Sequence, residues 1–353
     1  MTPSASPDGR SPATTPGGGS APLLAVEDLT VTIDGASVVN GLTLTLAAGE
    51  TLALVGESGC GKSMTALALM DLLPAAARRV GGGVRLAGRQ LEALEPAARR
   101  ALRGGEMAMI FQEPGAALNP LMTVGNQIGE ALAVHGRVRS RRERRQKSLA
   151  LLDQVGMPEP ALRLNQFPFE LSGGQCQRVM IAIALAAEPK LLIADEPTTA
   201  LDVTIQAQIL TLLQGLQRHR GMGLLLITHD FGVVAEMADG VAVMYAGRIV
   251  EQGRMQTLLR QPRHPYTQLL LASMPQHSQA PRQPLAVIGG RVPSPSAWPL
   301  GCRFHPRCPL AETRCRQQAP PLAAHTENAS HLSACWFSER VAALAPREEA
   351  GYP

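Results

Sequence analysis

The chain has 353 residues, a net charge of +4, 45% apolar residues and only 3% aromatic residues. This length and composition allow one large domain with an appendage, or two domains, around a mostly aliphatic core. The charge is too mild to demand a nucleic-acid partner, and it excludes none. No apolar stretch approaches the roughly 20 residues that span a bilayer, and no signal-peptide pattern opens the chain, so we expect a cytoplasmic protein with at most peripheral membrane contact.

Predicted strands and helices alternate along the chain after a short tail. Residues 1–22 are dominated by Pro, Ser, Thr, Gly and Ala, which predicts disorder. Residues 24–33 and 42–46 alternate apolar and polar side chains, which predicts an antiparallel pair. Further strands are predicted at 51–55, 84–87, 107–111, 190–194 and 223–228, helices at 62–72, 172–187 and 203–220, a polar helical segment over 119–165, and a hairpin of 241–245 with 248–251.

This alternation predicts an α/β fold, with a parallel sheet covered by helices on both faces. After about residue 261 the chain becomes rich in Pro, Cys, His and Arg. We therefore predict a domain boundary there, a small second domain over 261–340, and a tail over 341–353.

A phosphate-binding loop is predicted where the strand 51–55 meets the helix that follows it. The loop fits G-x-x-x-x-G-K-S and consists of Gly56, Glu57, Ser58, Gly59, Cys60, Gly61, Lys62 and Ser63. Glycines let backbone N–H groups converge on phosphate oxygens, and the helix N-terminus adds its positive dipole end. We expect Lys62 to reach the outer phosphates and Ser63 to hold magnesium, while Cys60 faces away from the ligand rather than serving a redox role.

A second predicted site follows the apolar strand that ends at residue 194. Asp195 and Glu196 come directly after it. At this distance after a phosphate loop, Asp195 is expected beside the magnesium, and Glu196 where it can polarise the attacking water. The two motifs together predict hydrolysis of a nucleotide.

A third motif brings in a family resemblance. Leu171 is followed by Ser172, Gly173, Gly174 and Gln175 at the start of a predicted helix. With the other two motifs, this string resembles the signature of ABC ATPases. The resemblance covers roughly residues 23–260 and implies a P-loop (RecA-like) ABC ATPase core with an antiparallel β subdomain and a helical subdomain at about 115–168. It also implies that the signature faces ATP held by a partner subunit, so that two chains enclose two nucleotides.

Further positions fit the same resemblance, with one exception. Gln112 matches the glutamine that contacts magnesium and the attacking water and links to the transport subunit. Asp202 matches the acidic loop that crosses the dimer interface, and His229 matches the switch histidine that contacts the γ-phosphate. The aromatic residue that stacks on adenine in the family is missing, and Ile33 stands nearest to its position. Because stacking on an aromatic side chain contributes about 1–3 kcal/mol elsewhere, we expect weak contacts to the base.

The basic run over residues 137–147 has more than one interpretation. It is compatible with nucleic acid, with anionic lipid, or with a solvated face of the helical subdomain. No aromatic side chain is interleaved with it, which argues against base stacking and favours the solvated face.

The second predicted domain resembles the C-terminal extension of oligopeptide, dipeptide and nickel importer ATPases. The likeness rests on residues 263–267 (Arg-His-Pro-Tyr-Thr) and on residues 301–309, and it includes Cys302, Cys308, Cys315 and Cys335. Four thiolates suit an iron–sulfur cluster or a structural zinc ion. The spacing lacks a C-x-x-C pair, which counts against an ordinary zinc ribbon, and the resemblance favours a [4Fe–4S] cluster. Four unrelated thiols stay as the third interpretation.

The resemblance implies an ATP-hydrolysing motor subunit of an ABC importer for peptides or a related solute. It implies ATP and Mg²⁺ as ligands, two transmembrane permease subunits, a second ATPase subunit (a paralogue or a second copy), an extracytoplasmic substrate-binding protein acting indirectly, and a peripheral location on the cytoplasmic face of the inner membrane. The rival class, ABC ATPases that act on DNA or ribosomes, typically carries a coiled-coil insertion or two cores. One core without a heptad run favours the importer without a nucleic-acid partner, and dipeptides, oligopeptides, nickel and glutathione remain open as substrates.

Overall fold

The computed structural model describes residues 21–199, 201–274, 288–325 and 328–344. Most of the predicted N-terminal tail and of the tail over 341–353 lies outside these ranges. Within them the strands are β1 (Leu24–Ile33), β2 (Ala36–Leu46), β3 (Thr51–Val55), β4 (Ala77–Leu86), β5 (Arg89–Gln90), β6 (Met107–Ile110), β7 (Leu191–Asp195), β8 (Gly223–Thr228), β9 (Gly240–Tyr245), β10 (Arg248–Arg254), β11 (Ala323–His325) and β12 (Asn328–Ser333). The α-helices are α1 (Lys62–Leu69), α2 (Pro96–Leu102), α3 (Pro114–Ala117), α4 (Val124–Val134), α5 (Arg141–Gln154), α6 (Pro160–Arg163), α7 (Gly173–Leu185), α8 (Val203–Arg220), α9 (Phe231–Met237), α10 (Met255–Arg260), α11 (Pro265–Ala272) and α12 (Thr313–Gln317).

The larger sheet has eight strands in the order β11-β12-β10-β9-β3-β8-β7-β6. Neighbours from β9 to β6 are parallel, whereas β10, β12 and β11 extend the sheet antiparallel. Every residue of β3, β7 and β8 is buried, as expected for strands that are covered on both faces. The predicted α/β fold with a parallel sheet is confirmed. Because β3, β7 and β8 are parallel, the loops that follow them meet at one edge of the sheet.

The smaller sheet is antiparallel, in the order β2-β1-β4-β5. The predicted pairing of residues 24–33 with 42–46 is confirmed, with Leu24 opposite Leu46. Both partners of β1 begin earlier than predicted, β2 at Ala36 and β4 at Ala77. The first seven of the ten residues of β4 read Ala-Arg-Arg-Val-Gly-Gly-Gly and have no apolar alternation, so the strand structure there comes from pairing with β1.

Helix α1 ends at Leu69, before the predicted residue 72. Asp71 adopts the left-handed region with φ of 55°, which no α-helix continues through. Helices α4, α5 and α6 form the helical subdomain, whose buried Ile128 and Leu152 pack into one apolar cluster with Val179 of α7. The basic run lies at the start of α5, where Ser140 caps the helix by accepting a hydrogen bond from the backbone N–H of Glu143 at 3.1 Å.

The C-terminal extension, residues 261–344 as far as they are described, packs against the same larger sheet. Strand β12 pairs with β10, with Glu251 opposite Ser333 and Gln252 opposite Leu332. The predicted division into domains at residues 260 and 261 falls between α10 and α11, and it stays a prediction. In the described ranges, no helix combines the length and the apolar character needed to cross a membrane.

Candidate functional site

The loop between β3 and α1 has the backbone that a phosphate site needs. Gly61 precedes α1 with φ of 110°, and a Cβ atom there would lie 2.7 Å from the carbonyl oxygen of Val38. Only glycine fits this position, because any other residue would be strained at this φ and its Cβ atom would clash with the backbone of Val38. The loop can therefore approach a ligand closely and lead directly into a helix N-terminus.

The loop lysine lies inside this loop rather than in solvent. The Nζ of Lys62 donates to the carbonyl oxygens of Gly56 at 2.7 Å and Glu57 at 3.1 Å, and its side chain is 4% exposed. The same Nζ lies 3.9 Å from Oε1 of Glu196. The cationic group thus stands between the phosphate loop and the acid that follows β7.

Ser63 and Asp195 meet at the start of α1. Ser63 Oγ donates to Oδ1 of Asp195 at 3.1 Å, and burial raises the pKa of that carboxyl above its ordinary value, with neighbouring Glu196 adding to the shift. A hydroxyl and a carboxylate oxygen are donors that Mg²⁺ accepts, and a bound cation would offset the cost of burying the carboxylate. Across the described ranges, no three His, Cys, Asp or Glu side chains form a set that could hold a metal ion by themselves.

Glu196 is the centre of a polar cluster. Its Oε2 accepts from Thr199 Oγ1 at 2.9 Å and from Gln112 Nε2 at 3.2 Å, and lies 3.4 Å from Nδ1 of His229. Glu196 also adopts φ of 46°, a backbone conformation that costs a non-glycine residue about 1–3 kcal/mol. Thr199 was not singled out from the sequence, because a threonine three residues after an acidic pair carries no local signal.

A cleft of about 730 Å³ joins these groups, a volume in the range of small-molecule sites. It is lined by the predicted residues Gly56, Glu57, Ser58, Gly59, Gly61, Lys62, Ser63, Gln112, Glu196 and His229, and also by Ile33, Val38, Met64, Leu270 and Pro295. Cys60 is buried beneath the loop and is absent from this lining. Leu270 and Pro295 belong to the C-terminal extension, and the sequence did not predict that it reaches the cleft.

The signature residues lie apart from this cleft. Ser172 caps α7, accepting from the backbone N–H of Gln175 at 3.4 Å, while the side chain of Gln175 accepts from the backbone N–H of Ser172 at 3.0 Å. Asp202 caps α8 in the same way, through the backbone N–H of Ile205 at 3.0 Å. A Cβ atom on Gly174 would come within 2.8 Å of Ile205, so glycine allows α7 and α8 to approach closely. None of residues 172–175, nor Asp202, lines the cleft.

Four cysteines line a second, smaller cavity within the C-terminal extension. Cys302, Cys308, Cys315 and Cys335 all contribute to its wall and are free thiols. Burial, with a smaller contribution from the neighbouring thiols, raises the pKa of Cys308 to about 11 and that of Cys335 to about 12. The structure thus places in one cavity the four cysteines that the sequence predicted to act together. Among the described residues, they do not form a group that could hold a metal ion as they stand.

Comparisons with known proteins agree with this geometry. The ABC transporter family matches residues 39–199, and the family of the oligopeptide/dipeptide transporter C-terminal region matches residues 250–315. A protein of Brucella melitensis, provisionally named a peptide import ATP-binding protein, is 50% identical over 319 residues, covering 86% of this chain and 93% of its own. A protein of Sinorhizobium fredii, named a probable peptide ABC transporter ATP-binding protein, is 48% identical over 327 residues, covering 91% and 97%.

Solved structures match the core of the chain. A dimeric ATP-binding cassette in a post-hydrolysis form, bound to ADP and Pi, matches with a TM-score of 0.60 at 27% identity, covering 66% of this chain and 98% of that one. A dimeric bacterial ABC transporter cassette matches with a TM-score of 0.59, also at 27% identity and with the same coverage. The expected ABC fold, with its β and helical subdomains, is confirmed. The chain therefore belongs to the ATP-binding subunits of ABC transporters that carry the oligopeptide/dipeptide C-terminal region, and it is a transport-coupled ATPase.

Proposed function

We propose that this ATPase powers the import of peptides across the cytoplasmic membrane. One observation carries the proposal: the cleft that contains Lys62 and Glu196 is also walled by Leu270 and Pro295, which lie in the region matching the oligopeptide/dipeptide family. Relatives that are about half identical over most of the chain are named for peptide import or peptide ABC transport. Dipeptides or oligopeptides are therefore the favoured cargo over nickel or glutathione.

Peptide uptake in a strain that lacks the gene tests this proposal. Wild-type chain should restore uptake of labelled dipeptides or oligopeptides, and Glu196→Gln should not. The matched control is Glu188→Gln, which changes an acid that is 70% exposed and pairs with Arg137 on the surface. Peptide uptake that is unaffected by deleting the gene would refute the substrate, and full restoration by Glu196→Gln would refute the motor.

The residues around the cleft divide into binding and catalytic groups. The loop from Gly56 to Ser63 holds the phosphates, with Lys62 on the outer ones, and Ser63 and Asp195 hold Mg²⁺, which neutralises phosphate charge when bound. Glu196 orients and deprotonates the attacking water. The support for this role is its position 3.9 Å from the loop lysine, with Gln112 and His229 on its other oxygen.

A second ATPase chain, either a paralogue or another copy, completes each nucleotide site. The support is that Ser172–Gln175 and Asp202 lie outside the cleft of their own chain, while the signature serine is on the surface at a helix N-terminus. Sedimentation of Glu196→Gln with and without ATP and Mg²⁺ tests this arrangement. An ATP-dependent shift from monomer to dimer is expected, and it should disappear when Ser172→Arg is added.

Two permease subunits dock on the helical subdomain, so the chain works peripherally at the cytoplasmic face of the inner membrane. The support is a pair of large apolar side chains at its border, Leu121 at 85% exposed and Phe169 at 75%. Exposed apolar patches mark protein contacts, and Phe169 lies two residues before Leu171, where the signature begins. An extracytoplasmic binding protein delivers the peptide to the permeases, and no nucleic acid takes part.

A metal centre at Cys302, Cys308, Cys315 and Cys335 stabilises the C-terminal extension. The donor set fits, because four thiols share one cavity and each can release a proton to become a ligand. One zinc ion with Zn–S bonds of about 2.3 Å draws its ligands tightly together, whereas a [4Fe–4S] cluster spreads them, since each thiolate binds a different iron. Among the described residues no such group of thiols forms a site ready for a metal ion, so our preference for the cluster over zinc rests on the family resemblance and on the missing C-x-x-C pair.

A further inference from the structure

Glu57, the second residue of the phosphate loop, is bound by the C-terminal extension. Nη1 of Arg307 donates to Oε1 of Glu57 at 3.0 Å, and Nη2 donates to Oε2 at 3.1 Å. Two parallel hydrogen bonds between a guanidinium and a carboxylate fix distance and orientation together. The contact is largely shielded from water, because the Arg307 side chain is 7% exposed and that of Glu57 is 27% exposed.

The guanidinium of Arg307 is held in place by other groups as well. Its Nε donates to the carbonyl oxygen of Gly289 at 2.8 Å, and Nη2 donates to that of Ile288 at 3.3 Å. The guanidinium carbon lies 5.7 Å from the ring centre of Tyr245 and 5.9 Å from that of Phe304. Arg307 therefore presents a fixed fork to the loop, and little side-chain freedom is lost when it binds Glu57.

A second residue of the extension binds the backbone of the same loop position. The backbone N–H of Glu57 donates to the hydroxyl oxygen of Tyr266 at 2.9 Å. Tyr266 is fully buried, and its ring packs against Tyr245 and Phe304 with centroids 4.7 Å and 5.3 Å away. The extension thus fixes both the main chain and the side chain of one residue in the phosphate loop.

We propose that Tyr266 and Arg307 are positioning residues for the phosphate loop, so that ATP affinity depends on the C-terminal extension. The inference rests on the proposed role of the loop as the ATP site. Two effects follow from the geometry. The loop is held in one conformation before ATP arrives, which lowers the ordering cost of binding. The carboxylate of Glu57, which lines the nucleotide cleft, is neutralised and does not repel the phosphates.

The central experiment is an equilibrium ATP titration of full-length Arg307→Gln. We expect about tenfold weaker binding, the lower end of what hydrogen bonds to a charged group contribute. In steady-state hydrolysis, KM for ATP should rise by a similar factor while kcat changes less, because the lost contact acts on ground-state binding. Arg307→Lys keeps the charge but loses the fork, and should fall between the variant and the wild type.

Arg340→Gln is the matched control. Arg340 also belongs to the extension, pairs with Glu312 and lies over the ring of Phe337, but its partners are all within the extension. This variant should bind ATP as the wild type does. Tyr266→Phe, which removes one hydroxyl and keeps the ring, should weaken ATP about threefold, as expected for one neutral hydrogen bond.

A double mutant separates charge from folding. If Arg307 neutralises Glu57, then Glu57→Gln should recover part of the affinity lost in Arg307→Gln, and the two changes should not be additive. Additive losses in this cycle would overturn the charge argument. ATP affinities of Arg307→Gln and Tyr266→Phe that match Arg340→Gln would overturn the whole inference.

Lys62→Ala shows whether a negative result contradicts only the positioning role or also the proposed ATP site. If Lys62→Ala weakens ATP and Arg307→Gln does not, only the positioning role fails. If Lys62→Ala binds ATP normally, the loop is not the ATP site and both fail. Limited proteolysis of the extension in each variant checks that it stays folded, and Tyr266→Phe carries the test if Arg307→Gln becomes protease-sensitive.

Discussion

Replacing Glu196 by glutamine should stop turnover and leave ATP binding intact. The amide has the size of the carboxylate and can still accept the hydrogen bond from Thr199, which is 2.9 Å long in the wild type. It cannot take a proton from water, and a positioned general base contributes about 10²–10⁴-fold to the rate. We therefore expect kcat to fall by at least about a hundredfold.

ATP affinity should stay the same or increase in this variant. Glu196 lies 3.9 Å from the Nζ of Lys62, so its negative charge competes with the phosphates for the same cation. Two unit charges about 4 Å apart interact by about 4 kcal/mol at an effective dielectric constant of about 20, so the competition is not negligible. Removing the charge while keeping the shape should favour the bound nucleotide.

Single-turnover phosphate release and an equilibrium ATP titration measure the two effects separately. Glu188→Gln, at an exposed surface pair, is the control and should match the wild type in both assays. Hydrolysis by Glu196→Gln within tenfold of the wild type would refute the assignment of the base. A loss of ATP affinity as large as the loss of rate would show that Glu196 holds the nucleotide instead.

Four further predictions concern other parts of the chain. Lys62→Ala should weaken ATP binding itself, because it removes the buried cation of the phosphate loop; unchanged affinity in a titration would contradict this. Ile33→Tyr should tighten ATP and reduce acceptance of GTP, because it adds a stacking surface to the cleft wall; strong ATP selectivity already present in the wild type would contradict it. Anaerobically purified wild-type protein should be brown and absorb near about 400 nm. Cys308→Ser should lose this colour and make the extension sensitive to proteases. Stoichiometric zinc without iron in the wild type would contradict the cluster and indicate a zinc site. Burial raises the pKa of Asp195 above its ordinary 3.8, so the ionised carboxylate lowers the stability of the fold, and this loss develops as pH rises from 3.8 through the raised pKa. Without Mg²⁺, Asp195→Asn should therefore unfold at a higher temperature than the wild type at pH 7, and the difference should vanish toward acid pH. MgATP should stabilise the wild type more than the variant.

Local sequence patterns predicted the strands and loops whose structure is determined mainly by their own residues. The strands at 51–55 and 223–228 are continuous apolar runs, and the structure has them with those bounds. The phosphate loop is a contiguous motif, so its position in the chain could be predicted from neighbouring residues alone. Helix α9 was not predicted because it spans only Phe231–Met237, and its three buried apolar residues, Phe231, Val234 and Met237, cover less than two turns. Its start is set by Asp230, whose carboxylate accepts from the backbone N–H of Gly232 at 2.8 Å.

Contacts between distant parts of the chain could not be predicted in this way. One local contact was also not predicted: Thr199 lies only three residues after Glu196, but no spacing rule indicates the hydrogen bond between their side chains. Leu270 and Pro295 reach the nucleotide cleft from beyond the predicted domain boundary. Residues 263–267 carry a family resemblance, but the role of these residues depends on tertiary contacts of His264 and Tyr266.

The buried carboxylate of Glu251 explains why that pattern is needed. Glu251 is fully buried in β10, and its oxygens accept from the backbone N–H groups of Arg263 at 2.7 Å and His264 at 3.0 Å, and bind Nε2 of His331 at 2.7 Å. A buried charge is tolerated only with such partners, so β10, the start of α11 and β12 must keep their relative positions.

The next link runs from His264 to the phosphate loop. Burial lowers the pKa of His264 to about 3, so the ring is neutral and Nδ1 accepts the backbone N–H of Tyr266 at 3.1 Å. That bond caps α11 and sets the direction of Tyr266, whose hydroxyl binds the loop at Glu57. The family match over residues 250–315 begins one residue before Glu251, rather than at the composition change near 261. The extension is thus anchored from within the last strands of the ATPase sheet, and a change in that anchor would be transmitted to the loop that meets ATP.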